Sequence, residues 1–276
     1  MRANLAGLSS ATTGDMIVTY DQLGGTGIVR NKALTIPGHI NGSEGGPWAS
    51  IEYVSIDPIH NGMCSSVGQH TQTTDELYYI VEGTGVLSAN GVREKVTPGY
   101  LALAPRGTTH SIRNESSAEA LSFLVVELHA LSAMSMPPVT LHFPSNLQRS
   151  ETFAPVRIRQ ERIQCMAATL DLRDFFGPRS AWGKLSLVQL PPSTYIDAYA
   201  DEQADQLLFL SGFVSLMVMK SGHTASQAEK NEEISIDTSG EGYHSVFIPR
   251  GASCQIKNRA SGNYPATILR LMVPRQ

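Results

Sequence analysis

The sequence predicts an all-β protein made of two copies of one β-domain. Three observations carry this. Short runs rich in Val, Ile, Leu and Tyr recur along the 276 residues, each closed by Gly, Pro, Asn or Asp. Helical periodicity is weak throughout. Three blocks of sequence recur in the same order in the two halves. Runs this short, ended by turn residues, belong to a sandwich or barrel rather than to βαβ units.

Taken in order, the first-half strand candidates are IEYVSI (51–56), ELYYIVEG (76–83), LALAPRG (101–107) and LSFLVVEL (121–128). The second half supplies KLSLVQL (184–190), QLLFLSG (206–212), VSLMVM (214–219), SVFIPRG (245–251) and TILRLMV (267–273). Residues 157–168 (RIRQERIQCMAA) fit either a helix or an extended connection. The polar stretch 219–241 reads as a surface loop. Patterning breaks at MSMPPVT and HFPSN, so the division falls within 131–165. We assign an N-terminal domain to 1–145, with its barrel core at about 47–130, and a C-terminal domain to 146–276.

The repeat is specific. The segment 48–58, starting at Trp48 and ending at Pro58, matches 182–192, starting at Trp182 and ending at Pro192. PRGTTHSIRN (105–114) matches PRGASCQIKN (249–258) at five of ten positions. Glu76 to Gly83 and Asp205 to Gly212 share one seven-residue step. The paired Trp48 and Trp182 read as packing residues, and the paired Arg106 and Arg250 as structural ion-pair partners.

Composition narrows the function classes. Charged residues make up 17% and hydrophobic ones 41%, which is ordinary for a globular chain. Net charge is −4 and no basic stripe exists, so nucleic acid is not an expected partner. The N-terminus lacks a continuous apolar run and no stretch reaches bilayer-spanning length, so no membrane is expected and a cytoplasmic location is. Cys64, Cys165 and Cys254 lie far apart without a CxxC pair, as free thiols of a reducing compartment do.

One run concentrates chemistry. His70, Gln72, Glu76 and His110 are the polar residues of an otherwise apolar set of strands between Gly68 and Asn114. Alternation puts His70 and Gln72 on one face of a strand, and a bend lets Glu76 join them from the next stretch. Polar groups converging in an apolar barrel need compensation. A divalent metal supplies it, and two imidazoles, a carboxylate and an amide oxygen suit Fe, Mn, Ni, Co or Zn. Tyr78, two residues beyond Glu76, shares its face and either lines a substrate pocket or packs in the core. Asp75 and Glu82 face the other way and read as solvated.

These residues resemble the two motifs of the cupin superfamily. The first runs His70-Thr71-Gln72, then Glu76, then Gly83; the second places Gly99, Pro105, Gly107, His110 and Asn114 at every fixed position. Gln72 stands where the family has a second His, and Cys64 where it opens on Gly. The resemblance extends over the chain as a bicupin, which implies two tandem jelly-roll (double-stranded β-helix) barrels. It implies His70, Glu76 and His110 as ligands of one divalent ion per chain, with Gln72 the fourth donor, or a partner of bound water, and iron the foremost metal. In the second copy, spacing to Gly212 aligns Tyr199, Asp201, Asp205 and Cys254 with the ligands, so that barrel is expected to be degenerate. The implied function is a metal-dependent oxygenase acting on a small organic molecule in small-molecule metabolism, with Glu76 and His110 catalytic and Tyr78 touching substrate. The alternatives are a redox-neutral isomerase, cyclase, dehydratase or lyase, and a non-catalytic ligand-binding or storage-type bicupin. Analogy to other bicupins adds a homodimer.

Overall fold

In the computed structural model, the described residues are 16–18, 27, 29–33, 47–129, 139–142, 148–149, 156–158, 161–163, 166–176, 178, 181–219, 232–237, 244–248 and 250–274. They form two compact units. One takes in the described residues of 11–145 and 174–181, the other those of 146–173 and 182–276.

The first unit contains β1 (Met16–Val18), β2 (Val29–Ala33), β3 (Trp48–Ile56), β4 (Ser66–Thr71), β5 (Asp75–Glu82), β6 (Gly85–Ala89), β7 (Val92–Val96), β8 (Tyr100–Ala104), β9 (Thr109–Asn114), β10 (Leu121–Leu128) and β11 (Val139–His142). They pair antiparallel in a seven-stranded sheet, β1-β2-β3-β10-β5-β8-β11, and a four-stranded sheet, β4-β9-β6-β7. The two sheets share one core: Ile80, Leu121 and Phe123 from the larger meet Leu87, Val96 and Ile112 from the smaller. Alternation is plain in β9, where His110, Ile112 and Asn114 are buried and the residues between them half-exposed. In β5 the run from Glu76 to Ile80 is buried on both faces.

The second unit repeats the plan. It contains β12 (Gln148–Arg149), β13 (Val156–Ile158), β14 (Glu161–Ile163), β15 (Met166–Asp171), β16 (Lys184–Leu190), β17 (Tyr195–Ala200), β18 (Ala204–Ser211), β19 (Phe213–Met219), β20 (Glu232–Asp237), β21 (His244–Ile248), β22 (Ser253–Asn258) and β23 (Ala266–Pro274); of the short helix α1 (Arg173–Phe176), only Arg173 falls in this unit. Its sheets run β12-β15-β16-β23-β18-β21 and β14-β13-β17-β22-β19-β20. Leu190, Leu208 and Ile268 from one meet Ile196, Leu216 and Ile256 from the other. Among the described residues no helix is long and apolar enough to cross a membrane.

Three local expectations are settled. The described residues of 157–168 are extended, in β13, β14 and β15, and 159–160 and 164–165 lie outside the described residues. The polar stretch 219–241 is not wholly loop: Glu232–Asp237 pairs with β19, and 220–231 and 238–241 lie outside the described residues. Trp48 and Trp182 are both buried, as packing residues should be.

The closing residues of the repeat are backbone organisers. Asn114 is fully buried; its Nδ2 donates to the carbonyls of Ile56 (3.0 Å) and Glu119 (2.7 Å), and its Oδ1 accepts from Ser116 N–H (2.8 Å). Asn258 does the same with Leu190 (2.9 Å), Tyr264 (3.1 Å) and Ala260 (2.9 Å). An asparagine here satisfies three loop groups that would otherwise be buried unpaired.

Gly83 and Gly91 isolate two different reasons for glycine. Both have positive φ, +74° and +83°. A Cβ on Gly83 would overlap the carbonyl oxygen of Ala120, whereas one on Gly91, in the Asn90-Gly91 hairpin, would meet open space. Gly91→Ala is therefore expected to cost about 1–2 kcal/mol, the left-handed penalty alone. Gly83→Ala should cost clearly more, about 3 kcal/mol or beyond, because backbone must also shift. Urea unfolding of the two variants measures the difference, and equal costs would refute the steric account.

Candidate metal centre

The site is assembled from both sheets of the first unit. β4 and β9 belong to the small sheet and place His70 directly opposite His110, with ring centroids 4.4 Å apart. β5, in the large sheet, contributes Glu76 and Tyr78 from alternate positions on one face.

His70 reaches this place through a bulge. Val67 pairs with Ile112, yet His70 pairs with His110, so β4 carries one extra residue between them. Regular pairing would have set Gln69, not His70, against His110. The bulge thus turns His70 onto the face occupied by His110 and the core residue Ile112. A turn fixes the other strand: Gly107 N–H donates to the carbonyl of Gln72 (2.9 Å), Thr108 N–H to that of Pro105 (3.0 Å), and Arg106 N–H to Asp75 Oδ1 (2.9 Å). Asp75 is therefore a turn-holding acceptor rather than a solvated charge.

His70, Glu76 and His110 offer ligand atoms that all lie within 4.8 Å of one another. Glu76 and His110 are 1% and 2% exposed, while His70 is half-buried and marks the open side. His70 Nδ1 lies 2.8 Å from the carbonyl of Gly68, and His110 Nδ1 lies 3.0 Å from that of Thr108. A carbonyl only accepts, so both Nδ1 atoms carry the proton and both Nε2 atoms are left as ligating atoms.

His110 Nε2 is 2.7 Å from Glu76 Oε2. The Tyr78 hydroxyl donates to that same oxygen at 2.8 Å and lies 2.9 Å from His110 Nε2. Burial alone would lower the pKa of His110, but the hydrogen bond and charge of Glu76, aided by the Thr108 carbonyl, outweigh it and raise the value above the ordinary histidine range. Burial first, then the charge and hydrogen bond of Glu76, push the Tyr78 phenol well above its usual value. Nearby, Thr74 donates to Glu127 Oε2 at 2.8 Å, beside the Glu76–Glu127 strand pair.

The donor set fits a divalent ion. Two imidazoles of fixed tautomer and a carboxylate, gathered in a core of Ile, Leu and Val, are what a mixed N/O metal site requires. Gln72 lies just past the end of β4, half-buried, with its backbone carbonyl held by Gly107 N–H. The contact of Tyr78 with two ligand atoms at once was foreshadowed only by its i+2 spacing from Glu76.

The second unit keeps the scaffold of the site and not its ligands. Tyr199 pairs with Cys254 as His70 pairs with His110, with a register jump after Ile196 like that after Val67. Gly251 N–H donates to the Asp201 carbonyl (2.6 Å) and Arg250 N–H to Asp205 Oδ1 (3.0 Å). Asp205 thus takes the role of Asp75. The position of Glu76, opposite Ala104, belongs to Gln206, opposite Ile248, and that of Tyr78 to Leu208. Counting back from the closing glycine aligned Asp205 with Glu76 because β5 bulges at Val81, opposite the Ser122–Phe123 step, while β18 pairs without a shift. Gln206 is fully buried and accepts from Arg270 Nε at 2.9 Å. Cys254 is a buried free thiol, Cys64 a half-buried one, and Cys165 lies outside the described residues.

Comparison with known proteins agrees with this picture. A family model described as a cupin domain matches residues 63–127, which hold all the candidate ligands. No curated protein matches the chain by sequence. Among solved structures, AerE from Microcystis aeruginosa superposes with a TM-score of 0.60 at 12% identity, over 90% of this chain and 93% of that one. Oxalate decarboxylase from Bacillus subtilis gives 0.57 at 13%, over 96% and 77%. Vicilin from Corylus avellana (hazelnut) gives 0.62 at 11%, over 94% and 82%. At these identities the likeness is one of fold, two jelly-roll barrels in tandem.

The raised value of His110 sets the sign of a pH effect in chelator-treated protein. The partnership with Glu76 adds stability that is complete below the ordinary histidine value of 6.5 and is lost as pH rises through the raised one. Urea unfolding free energy should fall across that window in the wild type and stay flatter in Glu76→Gln. A wild-type profile as flat as the variant's would contradict the pairing.

Proposed function

We propose, from a cupin-domain match over residues 63–127 and a fold of two jelly-roll barrels, that the first barrel is a metal-dependent enzyme site acting on a small organic molecule, with oxygenase chemistry the leading reading. The observation that carries it is the convergence of two imidazoles and one carboxylate, His70, His110 and Glu76, with ligand atoms within 4.8 Å. Two histidines, a carboxylate and open positions are the donor set of non-haem iron oxygenases. Iron is the first choice, and Mn, Ni, Co and Zn share the preference for these donors. The Mn(II) centres of B. subtilis oxalate decarboxylase support a divalent ion on this fold.

A bound ion supplies electrons toward dioxygen when it is redox-active, and Lewis acidity in either case. The protein's part is positional. His70 and His110 present Nε2 because the carbonyls of Gly68 and Thr108 hold their Nδ1 protons. Glu76 supplies the negative charge that makes a dication tolerable in this core. Gln72 adds an amide, either to the ion or to a water on it. The half-exposed His70 side is the way in for substrate, and the apolar core behind Tyr78 keeps bulk water out.

A second reading is redox-neutral: isomerisation, cyclisation, dehydration or another elimination. The hydrogen-bonded chain Tyr78–Glu76–His110 favours it, since three proton-carrying groups lie within 2.9 Å of their neighbours. Such a chain moves protons without any electron transfer.

Metal analysis of purified protein is expected to find one divalent ion per chain. Glu76→Ala and His110→Ala should reduce its affinity by more than the roughly 10–100-fold typical of supporting residues, and abolish turnover. Absence of a stoichiometric ion, together with variants that behave as wild type, would sink both readings. Oxygen uptake during turnover, followed with an electrode, separates them: consumption stoichiometric with product supports the oxygenase, and none supports the redox-neutral enzyme.

A further inference from the structure

The geometry points to Tyr78 as a fourth protein ligand of the ion, bound through its phenolic oxygen; this rests on the metal reading above and extends it. Tyr78 Oη, Glu76 Oε2 and His110 Nε2 form a nearly equilateral triangle, with sides of 2.8, 2.9 and 2.7 Å. Adjacent donors around an octahedral ion with bonds of about 2.0–2.1 Å stand roughly 2.8–3.0 Å apart. The triangle therefore has the size of one octahedral face, and His70 adds a further donor within 4.8 Å of its two partner ligands.

Hydrogen-bonded groups also stand at such distances, so a second observation is needed. The other barrel provides it. There the positions of Glu76, Tyr78 and His110 are held by Gln206, Leu208 and Cys254. The phenol is replaced along with the ligands, and a plain hydrocarbon fills the same buried place in a core of similar composition. Packing alone thus needs no hydroxyl at this position. The Tyr78 ring is 5% exposed, anchored against Phe123 with centroids 5.7 Å apart, which holds the oxygen where it is.

On binding, the phenolic oxygen exchanges its proton for the ion and the proton leaves to solvent. An ion inverts the local preference of a buried acid for its neutral form, because it is the largest charge nearby. His70, Glu76, His110 and Tyr78 would then hold the ion, and the phenolate would add a second negative charge to that of Glu76.

The test uses full-length protein stripped of metal and loaded with Fe3+ from its nitrilotriacetate complex. Phenolate bound to ferric iron gives a visible charge-transfer band whose resonance Raman spectrum shows phenolate vibrations. The wild type is expected to show the band, and Tyr78→Phe to bind iron at least about tenfold more weakly in a chelator competition and to lack the band. Iron bound by the wild type without the band overturns this proposal alone, as does a band that persists in Tyr78→Phe. A wild type that takes up no ion, neither Fe3+ nor any divalent metal, overturns the metal reading and this proposal with it. Should Tyr78→Phe fail to fold, the wild-type spectrum still decides, since an absent band rejects the ligand.

Discussion

The first barrel is organised around the need to accommodate a buried carboxylate. Glu76 is 1% exposed, in a sheet whose inward face is mostly apolar. An uncompensated charge there would cost several kcal/mol. His110 answers it from the opposing sheet and Tyr78 from two residues along the same strand. Each compensating group has its own requirement in turn. His110 must be held by the Thr108 carbonyl, which needs the Pro105–Gly107 turn, which is tied to Gln72 and Asp75. The chain of dependence runs from one charge to the backbone of both sheets.

The second barrel shows the same backbone freed from that need. Its asparagine, its turn, its bulge and its aspartate acceptor all recur, yet Gln206 stands where the carboxylate was. These recurring features hold loops and strand ends, so they answer to the fold. The residues that changed are those that face one another across the interior. The duplication thus separates scaffold from chemistry within one chain.

Much of this was legible in the sequence, for physical reasons that differ by residue. Gly83, Asn114 and the Pro105–Gly107 turn are backbone devices tied to residue type, so their spacing carried both the β class and the tandem repeat. His70, Glu76 and His110 were legible because imidazoles and carboxylates are rare inside barrels. The bulges were not. Gly68 is the one residue in 67–70 of a type that accompanies bulges, but a lone strand glycine does not say which residue is extra, and Val81, the extra residue of β5, is an ordinary strand former. That second bulge misplaced the counterpart of Glu76 by one residue, since counting along a sequence assumes even pairing. The strand at 232–237 was hidden in a polar stretch, because its apolar residues are only Ile234 and Ile236. Tyr78 was ambiguous because alternation gives a face and not a contact.

Both histidines take their Nδ1 acceptor from the carbonyl two residues upstream, Gly68 for His70 and Thr108 for His110. The tautomer is therefore chosen by the strand itself as it pairs, without help from an ion or a distant side chain. In small zinc-nucleated domains the ion drives folding, and its removal unfolds the chain. In this barrel the ring orientation rests on main-chain carbonyls that any paired strand presents. An ion bound as proposed would meet imidazoles already turned with Nε2 toward it, so the choice among metals would fall to the donor atoms and not to the setting of the rings.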